Sequence, residues 1–259
     1  GGHIKLIKLL AKIFKKRNFY IHIRIKEDSN HERLGALMEN VKLITISKYL
    51  VSLLQANYNP ILIYDPYKVS QKEPDIPKNS IFTISIIGRV TKTKGLDNIF
   101  PILDSLKTRS KICIKFWGNF NNKDEWFLAF KRKLSEYSNF EYKFEGFKEH
   151  KEEIYNNTNL VIHLNTVESL GRVVFEAVDY NRPIITFNEG GTGELMNIIG
   201  LSDFAVNKEE NWGERYAETI IKTMETKPYT KQIKEAKSTI ATDFTPELYT
   251  RKLEKLFKI

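Results

Sequence analysis

The sequence predicts an α/β fold in which parallel sheets are covered by helices. Three observations indicate this class. Short runs of apolar residues alternate with segments of helical periodicity along most of the chain, which is the pattern of parallel strands joined by crossover helices. Several of the apolar runs end in a glycine, among them those that lead to Gly88, Gly118 and Gly146. Polar residues gather after the runs, at the edge where open parallel sheets bind ligands.

The first segment, residues 4–17, interleaves apolar residues with lysines and predicts an amphipathic helix with a basic face. Residues 1–26 hold eight Lys or Arg and no acid, whereas the remaining residues hold 33 basic and 32 acidic side chains. The net charge of +9 is therefore local. Two interpretations stay open: an ordinary domain helix with solvated lysines, or a helix that lies on an anionic membrane surface. No RNA-binding or zinc-finger signature accompanies the lysines, which disfavours nucleic acid.

Two strands, a helix and a third strand are predicted next, in FYIHIRI, VKLITIS, SKYLVSLLQA and PILIYDP. The following stretch, PYKVSQKEPDIPKNS, is poor in apolar residues and contains Pro66, Pro74 and Pro77, so it predicts a linker. This divides the chain into a small unit at 1–65, a linker at 66–80, a larger unit at 81–244 and a C-terminal helix at 245–259. We expect that helix to pack back on the first unit.

The larger unit is predicted to contain six strands, in IFTISIIG, KICIKFWG, EYKFEGF, NLVIHLN, RPIITFN and DFAV, with helices that include 96–106 and 123–134. Thr245 and Pro246 predict the start of the last helix, since Thr can cap it and Pro fits its first turn. The single cysteine, Cys113, lies in an alternating strand and predicts a buried, inert thiol in a reducing compartment. No apolar stretch approaches the roughly 20 residues that span a bilayer.

The densest set of candidate site residues lies in 161–195, VIHLNTVESLGRVVFEAVDYNRPIITFNEGGTGEL. A short apolar run ends in a polar loop that holds Glu168, and Gly171 then opens a periodic segment that carries Glu176. A further apolar run ends in a predicted Gly190-Gly191 turn followed by Glu194. The order is strand, loop, helix, strand, loop, which indicates a ligand site at the carboxyl ends of the strands.

This order resembles the donor-binding half of the retaining nucleotide-sugar glycosyltransferases of family 4. The resemblance is carried by Glu168 and Glu176 with seven residues between them, Ala177, Pro183, the element from Gly190-Gly191 to Glu194, and upstream the run ISIIGRVTKTKG with Gly88, Arg89, Lys94 and Gly95. It covers residues 81–200 well and 20–66 weakly. It implies a GT-B type fold: a doubly wound, parallel-sheet Rossmann-like C-terminal domain and a partial Rossmann-like N-terminal domain.

The resemblance also implies roles for the cationic residues. A nucleotide diphosphate sugar carries two phosphate charges, which Arg89 and Lys94 would bind and stabilise as the leaving group departs. With Glu168 they form the predicted catalytic set. The backbone N–H groups of Gly171, Arg172 and Val173 would face the phosphates from the positive end of a helix.

The two glutamates have separate roles in this scheme, because a carboxylate accepts hydrogen bonds from hydroxyl groups. Glu176 would accept them from the ribose. Glu168 would accept them from the transferred sugar or lie against the reacting face of that sugar. The rest of the predicted donor site is Gly88, Gly118, Phe147 and Leu170. On the acceptor side we expect His22 and Arg24.

The resemblance implies a reaction that uses no metal or other cofactor, and the sequence has no Asp-x-Asp motif. We therefore expect a retaining glycosyltransferase that moves a sugar from a nucleotide diphosphate sugar to a polysaccharide or lipid-linked acceptor in bacterial-type surface glycan synthesis. We expect it in the cytoplasm, peripheral on the inner face of the membrane. One alternative is a nucleotide-sugar-binding subunit that needs a partner chain to complete its short N-terminal domain. Another is a basic membrane or nucleic-acid adaptor with a relic Rossmann domain.

Overall fold

The structure is a computed structural model that describes residues 2–70, 80–106, 111–226 and 229–257. Most of the predicted linker, with Pro74 and Pro77, lies outside the described residues, and the domain boundaries stay a prediction. The strands of the described residues are, in chain order, β1 (Phe19–Ile23), β2 (Val41–Thr45), β3 (Ile61–Leu62), β4 (Phe82–Ile87), β5 (Ile112–Trp117), β6 (Phe140–Gly146), β7 (Leu160–His163), β8 (Ile184–Phe187) and β9 (Ala205–Val206).

Eleven α-helices lie in the described residues, and the helix predicted at 4–17 ends at Ile13. They are α1 (Gly2–Ile13), α2 (His31–Leu34), α3 (Lys48–Leu54), α4 (Ile99–Ser105), α5 (Glu125–Leu134), α6 (Lys151–Tyr155), α7 (Arg172–Asp179), α8 (Gly190–Ile198), α9 (Trp212–Thr226), α10 (Tyr229–Asp243) and α11 (Pro246–Phe257). No helix in the described part of the chain combines the length and the apolar content that a membrane crossing requires.

The smaller sheet is parallel and has the strand order β1-β2-β3. β3 is shorter than the run PILIYDP predicts, since only Ile61 and Leu62 pair with β2. Pro60 and Pro66 flank this short pairing, and proline lacks the backbone N–H that a strand ladder uses. The sheet therefore ends soon after β3 begins.

The larger sheet has the order β6-β5-β4-β7-β8-β9, and each neighbouring pair is parallel. The six strands confirm the sequence prediction. In order along the sheet they read 3-2-1-4-5-6, the order of a Rossmann-type doubly wound sheet. The direction of winding changes between β4 and β7. The loops that follow these two strands therefore border the crevice where ligands bind in such sheets.

Side-chain caps fix where several helices begin. Asp124 accepts a 2.8 Å hydrogen bond from the backbone N–H of Phe127 at the start of α5. Thr245 accepts one of 3.1 Å from Leu248 at the start of α11, which confirms the predicted cap. Cys113 is buried as predicted, and burial raises the pKa of its thiol. That thiol is therefore a poor nucleophile.

The small and large sheets are joined by contacts between side chains and helix ends. On α8, Glu194 accepts hydrogen bonds from the backbone N–H groups of Lys48 at 2.8 Å and Tyr49 at 2.9 Å, and a further one from the Tyr64 hydroxyl. The carboxylate on α8, a helix of the larger sheet's unit, thus caps the positive end of α3. At the C-terminus, the Tyr20 hydroxyl donates to the carbonyl of Leu256 in α11 at 3.1 Å.

Candidate active site

Three glycines form the carboxyl edge of the larger sheet. Gly88, Gly118 and Gly146 stand at the ends of β4, β5 and β6, where Gly88 donates its N–H to Trp117 at 2.8 Å and Gly118 donates to Gly146 at 2.8 Å. Gly118 has a φ of 141°, and a Cβ there would lie 2.1 Å from the carbonyl oxygen of Gly88. Only glycine fits at this approach. The ends of β4 and β5 therefore approach each other through backbone atoms alone at Gly88 and Gly118.

The loop after β4 lies against the end of β7. Asn98 donates a 2.9 Å hydrogen bond from Nδ2 to the carbonyl of Leu164, the residue after β7. This contact brings Lys94, in the 3-10 turn Lys92–Lys94, to Glu168 in the loop after β7. Lys94 Nζ and Glu168 Oε2 are 2.8 Å apart. Two residues that the sequence predicts in one site are thus an ion pair across the switch point of the sheet.

Asn165 also holds the Glu168 carboxylate, because its Nδ2 donates to Oε2 at 2.8 Å. Burial opposes ionisation of Glu168, but the hydrogen bond and the positive charge of Lys94 outweigh it and lower the pKa of the carboxyl. Glu168 is therefore an ionised acceptor near neutral pH.

Glycines of α8 hold the Glu168 loop from behind. Gly191 donates its N–H to the carbonyl of Glu168 at 2.7 Å, and a Cβ on Gly191 would lie 1.9 Å from the carbonyl oxygen of Ser169. Gly190 has the left-handed φ of 62° that a turn uses, and α8 begins at this residue, so the predicted Gly190-Gly191 turn is the start of a helix. The physical reason is the close approach of this helix to the loop, which a side chain would prevent. These glycines shape the site without lining its cavities.

The first cavity has a volume of about 170 Å³ and lies between the loops after β4 and β7. Its lining includes seven predicted donor-site residues, which are Gly88, Arg89, Lys94, Glu168, and Gly171, Arg172 and Val173 at the start of α7. Val174 is the first residue of this turn whose N–H is bonded within it, to the carbonyl of Gly171 at 2.9 Å. The first N–H groups of α7 therefore form a positive helix end beside the cavity, as an anion requires.

The second cavity, of about 440 Å³, lies beside the first and shares Ile87, Gly88 and Arg89 with it. It is lined by Gly118, Phe147 and Glu176 of the predicted site. The Phe147 ring is 68% exposed and free to meet a ligand, whereas Trp117 is buried and donates from Nε1 to Ser85 at 3.0 Å. The two cavities thus form one groove with Arg89 at their junction.

Glu176 is fixed by two residues that the sequence analysis did not single out. Lys151 donates from Nζ to Oε1 of Glu176 at 2.8 Å, and the buried Tyr155 donates its hydroxyl to Oε2 at 3.3 Å. Lys151 also lines the second cavity. No local pattern marks these partners, because Lys151 lies in a run of charged residues that reads as a solvated loop.

His163 ends β7 and lines the first cavity with Lys94 and Glu168. It is 9% exposed, and its Nε2 has no hydrogen-bond partner among the described residues. Burial lowers the pKa of His163 to about 4. The charge of Glu168 opposes this shift and the charge of Lys94 adds to it, so the ring is neutral at pH 7.

Three predicted site residues lie apart from the groove. Leu170 is 1% exposed and packs in the core, which leaves only its backbone for a ligand contact. His22 and Arg24 lie in and after β1 of the smaller sheet and line neither cavity. Arg24 forms an ion pair with the buried Asp65. Burial, followed by the charge of Arg24, lowers the pKa of His22.

The described residues contain no group of three His, Cys, Asp or Glu side chains that could hold a metal ion. The expectation of a metal-free reaction stays a prediction.

Known glycosyltransferases share this fold. HepE from Anabaena, crystallised with UDP and glucose, has a TM-score of 0.76 and 16% identity over 96% of this chain and 73% of its own. A glycosyltransferase from Rickettsia africae ESF-5 has a TM-score of 0.75 and 17% identity over 98% and 80%. WaaG, a glycosyltransferase involved in lipopolysaccharide biosynthesis, has a TM-score of 0.66 and 17% identity over 86% and 65%. At these identities the likeness shows the fold, and it confirms the predicted GT-B type.

Sequence comparison assigns the family. No curated protein matches the sequence of this chain. Residues 68–239, more than half of the chain, match the family described as "Glycosyl transferases group 1". This match includes both cavities and confirms the resemblance drawn from the Glu168 and Glu176 segment. The chain therefore belongs to the group 1 glycosyl transferases and is a glycosyltransferase.

Proposed function

We propose that this glycosyltransferase moves a sugar, with retention at the anomeric carbon, from a nucleotide diphosphate sugar to a glycan or lipid-linked acceptor. The observation that carries the proposal is the meeting of Arg89, Lys94 and Glu168 with the start of α7 around one cavity. Cations and free N–H groups suit a diphosphate, and a carboxylate suits the hydroxyl groups of a sugar.

The diphosphate lies in the first cavity in this proposal, between Arg89 and the positive end of α7. It competes with Glu168 for the ammonium group of Lys94. As the bond to the sugar breaks, negative charge grows on the leaving phosphate, and the same cations stabilise it more strongly than they stabilise the intact donor. Glu168 is then available to accept hydrogen bonds from the transferred sugar.

The nucleoside lies in the second cavity, where Glu176 faces its ribose and Phe147 its base. Lys151 and Tyr155 hold the Glu176 carboxylate in one orientation, so its oxygens are placed before the ribose arrives. HepE was crystallised with UDP-glucose, which makes UDP-glucose the first donor to test on this chain.

Catalysis in this proposal uses no metal, because Arg89 and Lys94 supply positive charge where the leaving phosphate develops. WaaG, of similar fold, is involved in lipopolysaccharide biosynthesis. That likeness supports a surface polysaccharide, such as a capsule or a lipopolysaccharide, as the product.

The N-terminal helix supports a peripheral location on the cytoplasmic face of a membrane. Ile4, Ile7 and Ala11 form the face of α1 that packs on the core. The opposite face is also apolar, since Leu6, Leu9 and Ile13 are 52%, 55% and 60% exposed. A helix that meets only water has a polar outer face. This outer face therefore fits a lipid surface.

Charge selects the kind of lipid. Lys5, Lys8 and Lys12 run beside the exposed apolar stripe at positions three and four residues apart, and Lys15, Lys16 and Arg17 follow it. Lysines near a membrane attract anionic headgroups. The helix thus combines apolar insertion with attraction to an anionic surface, where a lipid-linked acceptor would lie.

Calorimetric titration with UDP, GDP, ADP and CMP tests the donor site, with Glu176→Ala as the binding variant and the exposed Glu218→Ala as its control. We expect micromolar binding of one nucleotide that Glu176→Ala weakens and Glu218→Ala keeps. NMR of the product made from the matching nucleotide sugar then reports the anomeric configuration. A folded chain that binds none of the four nucleotides contradicts the proposal, and an inverted product contradicts retention.

Vesicle sedimentation tests the membrane surface. The variant Leu6→Gln/Leu9→Gln/Ile13→Gln changes exposed residues only and should keep the fold and UDP binding. We expect the unaltered chain to sediment with vesicles of phosphatidylcholine and phosphatidylglycerol, less so as salt rises, and the variant to stay in solution. Equal sedimentation of both proteins would exclude the apolar stripe as the contact.

A further inference from the structure

His163 stands out in the first cavity because its side-chain Nε2 has no hydrogen-bond partner among the described residues. The other residues of β7, Leu160, Val161 and Ile162, are apolar and buried. Strands buried on both faces are usually apolar throughout, so an apolar residue would suit position 163. Instead a histidine ends the strand with a buried Nε2 that has no partner among the described residues. Such a nitrogen costs stability unless a ligand or water satisfies it.

The neighbours of His163 explain what kind of partner it fits. Lys94 can only donate hydrogen bonds, and the ionised Glu168 can only accept them. These two already satisfy each other. A neutral imidazole has one donor and one acceptor nitrogen, which matches a hydroxyl group, itself both donor and acceptor. Burial keeps the ring neutral at pH 7 and so preserves this capacity.

We propose that His163 is a specificity-determining residue whose Nε2 hydrogen-bonds one hydroxyl group of the transferred sugar in the cavity it shares with Lys94 and Glu168. The inference rests on the proposed function, since it places the donor sugar in that cavity. It adds a contact that separates donor sugars which carry this hydroxyl from those that lack it. A site built to hydrogen-bond a hydroxyl discriminates strongly against the analogue without it, because the buried polar group is then left unpaired.

Two variants separate this contact from a structural role. His163→Val gives an apolar strand residue with no hydrogen-bonding group. His163→Asn keeps a donor and an acceptor in a smaller side chain. Each is compared with the unaltered chain for binding of UDP and of UDP-glucose by calorimetry, and for kcat/KM with UDP-glucose and its 2-, 3-, 4- and 6-deoxy analogues.

We expect His163→Val to bind UDP as the unaltered chain does and to lose about tenfold in affinity or kcat/KM for UDP-glucose, the scale of one hydrogen bond to a buried group. His163→Asn should recover part of the loss. One deoxy analogue should react equally with His163→Val and the unaltered chain, because the contact is already missing. That analogue identifies the hydroxyl.

Several results would overturn the inference. Equal losses for UDP and UDP-glucose would give His163 a phosphate or structural role. No loss for UDP-glucose would exclude the contact, while the donor site itself stands if UDP still binds. A folded, unaltered chain that binds neither UDP nor UDP-glucose would overturn the UDP-sugar assignment together with this inference.

NMR of the unaltered chain gives a readout that does not need the variants to fold. The Nε2 resonance of His163 should move further when UDP-glucose is added than when UDP is added. A resonance that responds equally to both ligands, or to neither, would contradict a hydrogen bond to the sugar.

Discussion

Lys94 donates a 2.8 Å hydrogen bond from Nζ to Oε2 of Glu168, and this bond joins the loops on the two sides of the sheet's switch point. Both side chains are partly exposed, at 29% and 25%, so a ligand can reach them. In the absence of the donor each charge satisfies the other. In the proposed donor complex the phosphates bind Lys94, and the Glu168 carboxylate loses this partner and keeps Asn165. The proposal therefore links donor binding to the availability of Glu168 through one ion pair.

Arg89→Ala and Lys94→Ala should each weaken UDP binding by about 1–3 kcal/mol, or about 5- to 150-fold, because each removes a charged hydrogen-bond donor from the diphosphate. Lys94→Ala also leaves Glu168 ionised and unpaired beside the phosphates. Adding Glu168→Gln to Lys94→Ala should therefore restore part of the affinity. Calorimetry measures these effects, with the exposed Lys123→Ala as the control. Unchanged affinity in the Arg89→Ala/Lys94→Ala double variant would refute the phosphate assignment.

Glu168→Gln alone should not weaken UDP binding and should lower kcat for sugar transfer by about 100-fold, on the scale of one electrostatic contact in a transition state. The amide retains the shape of the carboxylate and removes its charge, so binding of the free nucleotide is spared. Calorimetry with UDP measures the affinity, and turnover of UDP-glucose measures kcat, so the two effects are separated. Turnover equal to that of the unaltered enzyme would remove Glu168 from the reaction.

The strands and the donor-site loops could be predicted from the sequence because buried parallel strands read as continuous apolar runs. The predicted donor-site residues came from the resemblance to family 4 glycosyltransferases, carried by four elements in one order. What could not be predicted are pairings set by tertiary packing. Lys151 reaches Glu176 from the start of α6, 25 residues earlier, with no periodic signal.

Packing also explains why the start of α8 was missed. The sequence analysis interpreted Gly190 and Gly191 as a turn, and α8 begins at Gly190. Their place in the helix is decided by carbonyl oxygens of the Glu168 loop, which leave no room for a Cβ. That loop is adjacent in space and more than 15 residues away in the sequence, so a local propensity rule cannot register it.

His163 should make the stability of the protein fall between about pH 7 and about pH 5. The folded pKa is about 4, against an ordinary value of 6.5, because burial disfavours the charged ring. In this window the unfolded chain binds a proton that the folded chain does not, so unfolding becomes easier as the pH falls. At 1.36 kcal/mol for each pKa unit, the expected loss by pH 5 is about 2 kcal/mol.

Urea unfolding of the unaltered chain and of His163→Asn at the two pH values measures this loss. The variant has no titratable group at position 163, so its free energy of unfolding should change less between the two pH values than that of the unaltered chain. Glu168 adds little in this window, since its lowered pKa keeps it ionised in the folded state and its contribution is lost only at lower pH. Equal changes in the free energy of unfolding of the two proteins would show that His163 does not cause the loss of stability at lower pH.

Gly118→Ala should destabilise the protein by about 3 kcal/mol or more, since it combines an unfavourable backbone conformation with a Cβ 2.1 Å from the carbonyl oxygen of Gly88. Gly88→Ala is the matched control, because its φ of 137° is similar and nothing lies within 4 Å of the added Cβ. Thermal and urea unfolding should show a clearly larger loss for Gly118→Ala. Losses of equal size would mean that the dihedral angle, and not the close approach of the two strand ends, requires glycine.

Glu194→Ala should loosen the contact between the two sheets by removing the carboxylate that caps α3. The loss should be about 1–2 kcal/mol, the upper range for a helix cap. Ser47→Ala is the matched comparison, because Ser47 caps the same helix through Leu50 at 3.2 Å from within the smaller sheet's own unit. Both variants expose the start of α3. Hydrogen exchange of the Lys48 and Tyr49 amides should quicken most in Glu194→Ala, since these two N–H groups bind Glu194 directly.

If Glu194 also sets the position of the smaller sheet over the donor groove, kcat/KM for transfer should fall in Glu194→Ala and not in Ser47→Ala, while UDP affinity stays the same in both. Equal exchange rates at Lys48 and Tyr49 in Glu194→Ala and the unaltered chain would show that this bridge does not hold the sheets together in solution.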